Sequence, residues 1–233
     1  MTATLVLLRH GQSTANADDV FTGWTDVPIT ALGRRQAHDA GRLLAAAHLL
    51  PDVAHTSLLR RTITSTDIVL DTLDRHWIPV TRSWRLNERH YGALTGRSKP
   101  EVGSRTDPAT YRAWRRSWAT APPPAPPGAF PPWNDDRYAA LPPDAWPLTE
   151  SLADVHARLL PYWIDSIGTD LRAGRTTLVV AHGNSLRALV AHLDNLSPSA
   201  VEALDIPTGR PLLYDLDEST LRPLAPGSYL GAR

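Results

Sequence analysis

The chain has 233 residues, 42% of them hydrophobic and 21% charged, with 24 basic side chains against 24 acidic ones. At roughly 150 residues per domain this is one large globular unit or two small ones, not a disordered chain. The neutral balance argues against general binding to nucleic acid or to acidic membranes, and the absence of Cys excludes disulfides, thiolate zinc sites and cysteine nucleophiles.

Thr4 to Leu8 is a short apolar run without alternation, the pattern of a strand buried on both faces. Residues 11–29 read as a long loop. Thr30 caps a helix to about Ala47, with Leu32, Ala40, Leu43 and Leu44 on its apolar face. Val53 to Thr56 is a second strand, and Leu58 to Leu73 a second helix despite its Thr and Ile. Ile78 to Ser83 is a third strand, placed at an edge by Pro79. Residues 84–99 read as irregular.

Asp107-Pro108 starts a helix over Ala109 to Trp118. Seven prolines between 122 and 132 end it. Trp133, Tyr138 and Trp146 predict that this excursion is ordered and packed on the domain. Thr149-Glu150-Ser151 begins a long helix to about Arg172. Thr176 to Ala181 is a strand of the same buried type as the first. Asn184 to Asp194 is a helix, Ser197-Pro198 begins a short one, and Leu212 to Leu216 is the last strand. Pro223 to Arg233 reads as a surface tail. Strands alternating with helices predict a three-layer α/β/α sandwich on a mainly parallel sheet. The whole chain reads as one domain, with a helical and Pro-rich cover inserted at about 100–150.

Two of the nine histidines share a context: Leu7-Leu8-Arg9-His10-Gly11 and Val179-Val180-Ala181-His182-Gly183. Ligands of open parallel sheets bind beyond the carboxyl ends of strands. Two imidazoles leaving neighbouring strands there meet in one crevice. Either one alone reads equally well as an ordinary strand-end histidine. The chain lacks a His-x-x-x-His pair, a Gly-x-Ser-x-Gly elbow, a Walker loop and a Gly-x-Gly-x-x-Gly turn. Arg9, Arg61, Arg115 and Arg116 around a neutral imidazole suit phosphoryl transfer, because cations hold the oxygens while the imidazole attacks phosphorus. Lys99 is the only lysine. It is a compact point charge, unlike the arginine fork.

The run Leu8-Arg9-His10-Gly11-Gln12-Ser13-Thr14-Ala15-Asn16 resembles the signature of the histidine phosphatase superfamily. Phe21-Thr22-Gly23-Trp24, Leu86-Asn87-Glu88-Arg89-His90-Tyr91-Gly92, Tyr111 to Arg116, Pro147 to Leu152 and Ala181 to Ala188 resemble its 2,3-bisphosphoglycerate-dependent phosphoglycerate mutases. The resemblance runs from about residue 4 to about residue 231. It implies interconversion of 3-phosphoglycerate and 2-phosphoglycerate, in glycolysis and gluconeogenesis, by an isomerase that needs 2,3-bisphosphoglycerate as primer and no metal. His10 matches the phosphoryl acceptor. Arg9, Arg61 and His182 match its pocket, and Glu88 the proton donor and acceptor. Gly11, Gln12, Ser13, Thr14, Ala15, Asn16, Thr22, Gly23, Arg89, His90, Tyr91, Lys99, Arg115, Arg116, Gly183 and Asn184 match positions that contact substrate. Gln12 stands where many members have Glu. Other expectations are a cytoplasmic enzyme with small phosphoglycerates as partners, no nucleic acid or membrane, and a dimer or tetramer. The strand Ile78 to Ser83, flanked by Trp77 and Trp84, is the expected contact between copies. A phosphatase of the same superfamily and a non-catalytic binding module are the competing readings. The complete set His10, Glu88, His182, Arg9 and Arg61 argues against the second.

Overall fold

The computed structural model describes residues 2–126, 135–142 and 145–231. Six strands form one mixed sheet: β1 (Thr2–Arg9), β2 (Val53–Thr56), β3 (Val80–Arg82), β4 (Thr177–Ala181), β5 (Leu212–Asp217) and β6 (Ser228–Tyr229). Their order is β3-β2-β4-β1-β5-β6. The first four are mutually parallel; β5 runs antiparallel to β1, and β6 to β5. The third strand is shorter than the expected Ile78 to Ser83 and lies at an edge. The C-terminal segment is not only a surface tail, because Ser228 and Tyr229 pair with Leu213 and Leu212.

The apolar run of β1 serves two cores. Leu5 and Leu7 belong to one cluster with Val179, Ala181 and Leu186. Val6 and Leu8 belong to another with Ala40, Leu44, Val69 and Val180. A strand whose successive side chains enter opposite cores has no polar face to show.

Helices cover both faces. On one side lie α2 (Ala31–Ala46) and α3 (Arg60–Thr72), following the short α1 (Thr14–Ala17) within the expected loop. Thr30 does cap α2, accepting from Gly33 N. Its buried stripe is Gly33, Ala37, Ala40, Gly41 and Leu44, whereas Leu32 is exposed. Close packing against α3 favours small residues, and Leu32 lies off that stripe. The hydroxyls of Ser65 and Thr66 in α3 donate to carbonyls four residues back, so these residues sit in a helix with their polar groups satisfied.

Beyond β3, α4 (Lys99–Arg105) begins at the last residue of the segment read as irregular and was not expected, whereas α5 (Pro108–Arg116) is capped by Asp107 as expected. The first part of the Pro-rich stretch is ordered: Ala125 is buried and Ala93 N donates to Pro123 O. Tyr138 is buried against Trp24, and Trp146 packs on Tyr138. Residues 127–132 of that stretch, and Trp133, lie outside the described residues.

On the other face, α6 (Leu152–Tyr162) continues through a π turn at Trp163–Ile167 into α7 (Gly168–Arg172). Pro161 lacks the N–H that a regular ladder needs, which accounts for the wider turn that follows. Then α8 (Gly183–Leu193) leaves β4 directly, and α9 (Pro198–Ala203) precedes β5.

Candidate active site

The parallel register sets the site. Arg9 on β1 pairs with Ala181 on β4, so His10 and His182 leave adjacent strands at one level. Their rings meet edge to face with centroids 5.0 Å apart. Both are buried. Burial first, then the Arg61 and Arg9 guanidiniums, hold the His10 pKa well below the usual histidine value. Burial and Arg61 do the same to His182. Both imidazoles are neutral near pH 7.

His10 Nδ1 lies 2.7 Å from the Gly11 carbonyl. A carbonyl only accepts, so Nδ1 carries the proton and Nε2 presents its lone pair. His182 is held at both nitrogens: Arg61 Nε donates to Nδ1 at 3.2 Å, and Nε2 meets Ser57 Oγ at 2.9 Å. Arg61 is also buried, donating to the carbonyls of Thr25 and Gly23. Burial lowers its pKa to about 10, which leaves it charged at neutrality.

Glu88 stands across the cleft. Its Oε1 accepts from Arg89 N at 2.8 Å and from Asn184 N at 3.1 Å. The second bond ties it to the first turn of α8, where N–H groups lack helical partners. Its main chain is fixed from behind. Trp24 Nε1 and Arg158 Nη2 both donate to the Glu88 carbonyl, and Arg158 is itself held by Glu150 at 2.6 Å.

A cleft of about 120 Å³ opens at this end of the sheet. Arg9, His10, Ser13, Asn16, Thr22 and Arg61 line it, together with Glu88, Tyr91, Lys99, Arg115, Arg116, Gly183 and Asn184. Two helices from the expected cover thus deliver the distal cations: Lys99 begins α4, and Arg115-Arg116 ends α5. Val20, Arg187 and Asp205, not singled out in the sequence, also line the cleft. Arg187 stands within the run Ala181 to Ala188, and its position five residues after a strand-end His gave no sign of its reach.

The remaining sequence candidates form the walls instead of the lining. Gly11 N donates to Ser65 Oγ, and Gln12 N to Gln36 Oε1. Thr14 and Ala15 belong to α1, which Ser13 caps. Gly23 supplies a carbonyl to Arg61. Arg89 is fully buried and donates to the Trp114 and Arg115 carbonyls. His90 is buried, with its N–H on Glu150 Oε2. The arrangement can hold a small ligand with anionic groups at both ends.

The profile of the histidine phosphatase superfamily (branch 1) matches residues 5–223. The chain belongs to the histidine phosphatase superfamily. It is 57% identical over 231 residues to a 2,3-bisphosphoglycerate-dependent phosphoglycerate mutase of Rhodococcus jostii (strain RHA1), covering 98% of this chain and 91% of that one. A protein of the same name from Thermobifida fusca (strain YX) is 54% identical, with 98% and 93% covered. Among solved structures, a mycobacterial glucosyl-3-phosphoglycerate phosphatase complexed with VO3 superposes with a TM-score of 0.70 at 26% identity, covering 91% of this chain and 92% of that one. Bacillus stearothermophilus YhfR gives 0.69 at 25%, with 95% of each covered.

The charge pattern of this histidine phosphatase site is one-sided. Among the described residues that line the cleft, six are cations, Arg9, Arg61, Lys99, Arg115, Arg116 and Arg187, and two are acids, Glu88 and Asp205. Among the described residues no cluster of three or more His, Asp or Glu is placed to hold a metal ion. No helix of the described residues is long and apolar enough to cross a membrane.

Proposed function

We propose that this protein interconverts 3-phosphoglycerate and 2-phosphoglycerate through a phosphohistidine at His10, with 2,3-bisphosphoglycerate as primer. The observation that carries the reading is the pairing of a free His10 Nε2 with a second set of cations, Lys99, Arg115 and Arg116, at the far side of the same cleft. The names of relatives at 54–57% identity agree with it. Arg9 Nε, a buried cleft nitrogen, has no hydrogen-bond partner among the described residues, which fits an anionic ligand.

The primer supplies the phosphoryl group that loads His10. Arg9 and Arg61 neutralise the phosphoryl oxygens and do not compete as nucleophiles. His182 keeps the Arg61 fork aimed and stays neutral beside His10. As the phosphoryl group passes from His10 to a substrate hydroxyl, the P–N bond breaks, a P–O bond forms, and Glu88 takes the hydroxyl proton. On the return, Glu88 gives that proton to the departing oxygen. Arg115 and Arg116 hold the other anionic end, where guanidinium forks are effective. Ser13, Asn16, Thr22, Tyr91, Gly183 and Asn184 complete the substrate contacts. Positive charge comes from side chains, so catalysis needs no metal.

A phosphatase is the second reading, favoured by the structural similarity to a phosphatase at a TM-score of 0.70. The two-ended cation set favours the mutase. The segment at 100–150 then acts as a cover on a single domain, excluding water from phosphohistidine. We place the enzyme in the cytoplasm as an oligomer. The β3 edge is its contact, with Trp77 69% exposed beside it; Trp84, by contrast, packs on Trp24.

The test is conversion of 3-phosphoglycerate to 2-phosphoglycerate, with and without added 2,3-bisphosphoglycerate, in EDTA. Primer-stimulated, EDTA-resistant conversion that vanishes in His10→Ala is the expected result. Phosphate release without isomerisation makes the protein a phosphatase.

A further inference from the structure

Helix α5 ends at Arg116 with its last carbonyls unpaired by the helix itself. Two buried arginines from other parts of the chain take them. Arg89 Nη2 donates to the Trp114 carbonyl at 2.8 Å and to that of Arg115 at 3.3 Å. Arg187 Nη2 donates to the Arg116 carbonyl at 3.0 Å and to that of Val201 in α9 at 2.7 Å. Its other arm, Nη1, donates to Asn184 Oδ1 at 2.9 Å. A single planar fork therefore joins the first turn of α8, the end of α5 and α9.

Among the described residues no carboxylate lies within ion-pair distance of Arg187, whose bonds go to the Asn184 amide oxygen and two carbonyls. Burial first, then the neighbouring cations Arg116 and Arg89, lower its pKa to about 10 against smaller opposing effects of Tyr91 and Glu88. A buried cation without a counter-ion is costly, and a packed apolar residue fills space at less cost. Two of the three elements it joins carry Asn184 at the phosphoryl end and Arg116 at the distal end. Its removal would release the Arg116 carbonyl and loosen the end of α5 relative to His10, leaving Arg116 tied through Nη1 to the Leu204 carbonyl at 3.2 Å.

We propose that Arg187 is a positioning residue that holds Arg116 in register with the His10 end of the cleft, and so sets affinity for ligands with a second anionic group. The proposal rests on the reading that Arg116 takes the distal anion. Lysine cannot replace Arg187, because one ammonium does not span Asn184, Arg116 and Val201.

The experiment is calorimetric binding of 3-phosphoglycerate and of orthovanadate to the unphosphorylated protein, with and without Arg187→Lys. Vanadate occupies the phosphoryl end alone. The expected result is about tenfold weaker 3-phosphoglycerate binding, a difference of about 1.4 kcal/mol, with vanadate affinity within about twofold. In an Arg116→Ala background the same substitution should change 3-phosphoglycerate affinity less than about twofold, the non-additivity of residues that act through each other. Additive effects mean that Arg187 touches the ligand itself and overturn the proposal. Equal weakening of both ligands means a structural role only and also overturns it. Arg187→Gln removes the uncompensated charge and is the second variant should the lysine form not fold. A wild type that binds vanadate but not 3-phosphoglycerate defeats the functional reading, and the proposal with it. A binding wild type whose variants bind normally defeats the proposal alone.

Discussion

Arg9 and Ala181 stand opposite each other in the parallel ladder of β1 and β4, one residue short of His10 and His182. That register buries two imidazoles side by side next to Arg9 and Arg61. Both histidine pKa values are lowered well below 6.5 by burial first and by the cations second. In the unfolded chain both titrate near the ordinary value, about 6.5. The folded state therefore gains its full contribution above that pH and loses it as pH falls, when the unfolded state alone binds protons. Between pH 7.5 and 5.5 the loss is about 1.4 kcal/mol for each histidine. Denaturant midpoints across that range should show it, and His10→Gln should remove one histidine's share. A pH-independent midpoint would contradict the neutral pair.

Gly11 and Gly33 bring two backbones into contact beneath His10. A Cβ on Gly33 would lie 2.2 Å from the Gln12 carbonyl oxygen, and one on Gly11 2.1 Å from that of Gly33. Neither oxygen belongs to a flexible side chain, so the loop itself must move. Gly33→Ala should destabilise the protein by about 2–4 kcal/mol and reduce phosphoryl loading of His10, though Gly33 lies outside the cleft. A melting curve and phosphohistidine detection on the variant check both. Wild-type behaviour in the two would show that the loop accommodates a methyl group.

The strand–His–Gly repeat was readable because it depends on local pattern: an apolar run, a chemically distinctive residue and a turn. The caps Thr30, Asp107, Ser151 and Ser197 were readable for the same reason. Ser98 before Pro100 and Glu101 carried the same kind of signal for α4, which was missed because the helix spans only seven residues. Arg89 and Arg187 were not readable as the residues that tie down the end of α5. Their carbonyl partners lie 14 to 71 residues away, and any residue has a carbonyl. Leu32 misled because periodicity marks a face but does not say how wide it is; α2 packs through Gly33, Ala37 and Gly41.

Glu150 and Arg158 form a buried bidentate pair, with Nε 2.6 Å from Oε1 and Nη2 3.1 Å from Oε2. Arg158 also donates to the carbonyls of Arg85, Asn87 and Glu88, so the pair clamps the segment that presents Glu88. Removing one partner leaves a buried charge uncompensated, at a cost of about 3–5 kcal/mol. Glu150→Gln should lose stability on that scale. It should also lower kcat by about 10- to 100-fold, the effect of a misplaced proton-transfer group, with KM changed far less. A fall in stability with kcat intact would restrict the pair to a folding role.

Lys99 Nζ lies 2.7 Å from Asp19 Oδ1, so the cleft's lysine is already engaged by an anion of the chain. Asp19 is largely exposed, and such a pair is worth about 0–1 kcal/mol. An incoming phosphate or carboxylate must displace Asp19 to reach the ammonium. Asp19 also holds a left-handed backbone, with φ 50°, which Asn accepts as readily as Asp. Asp19→Asn therefore removes the competing charge and leaves the loop intact. The KM for 3-phosphoglycerate should fall by about two- to fivefold at low ionic strength, the range that about 0.5–1 kcal/mol allows. The advantage should shrink as salt screens the pair. Lys99→Met should raise KM and abolish the benefit of Asp19→Asn, since the carboxylate then has no cation to withhold. A lower KM from Asp19→Asn that persists in the Lys99→Met background would place the effect in the general field of the cleft and not in this ion pair.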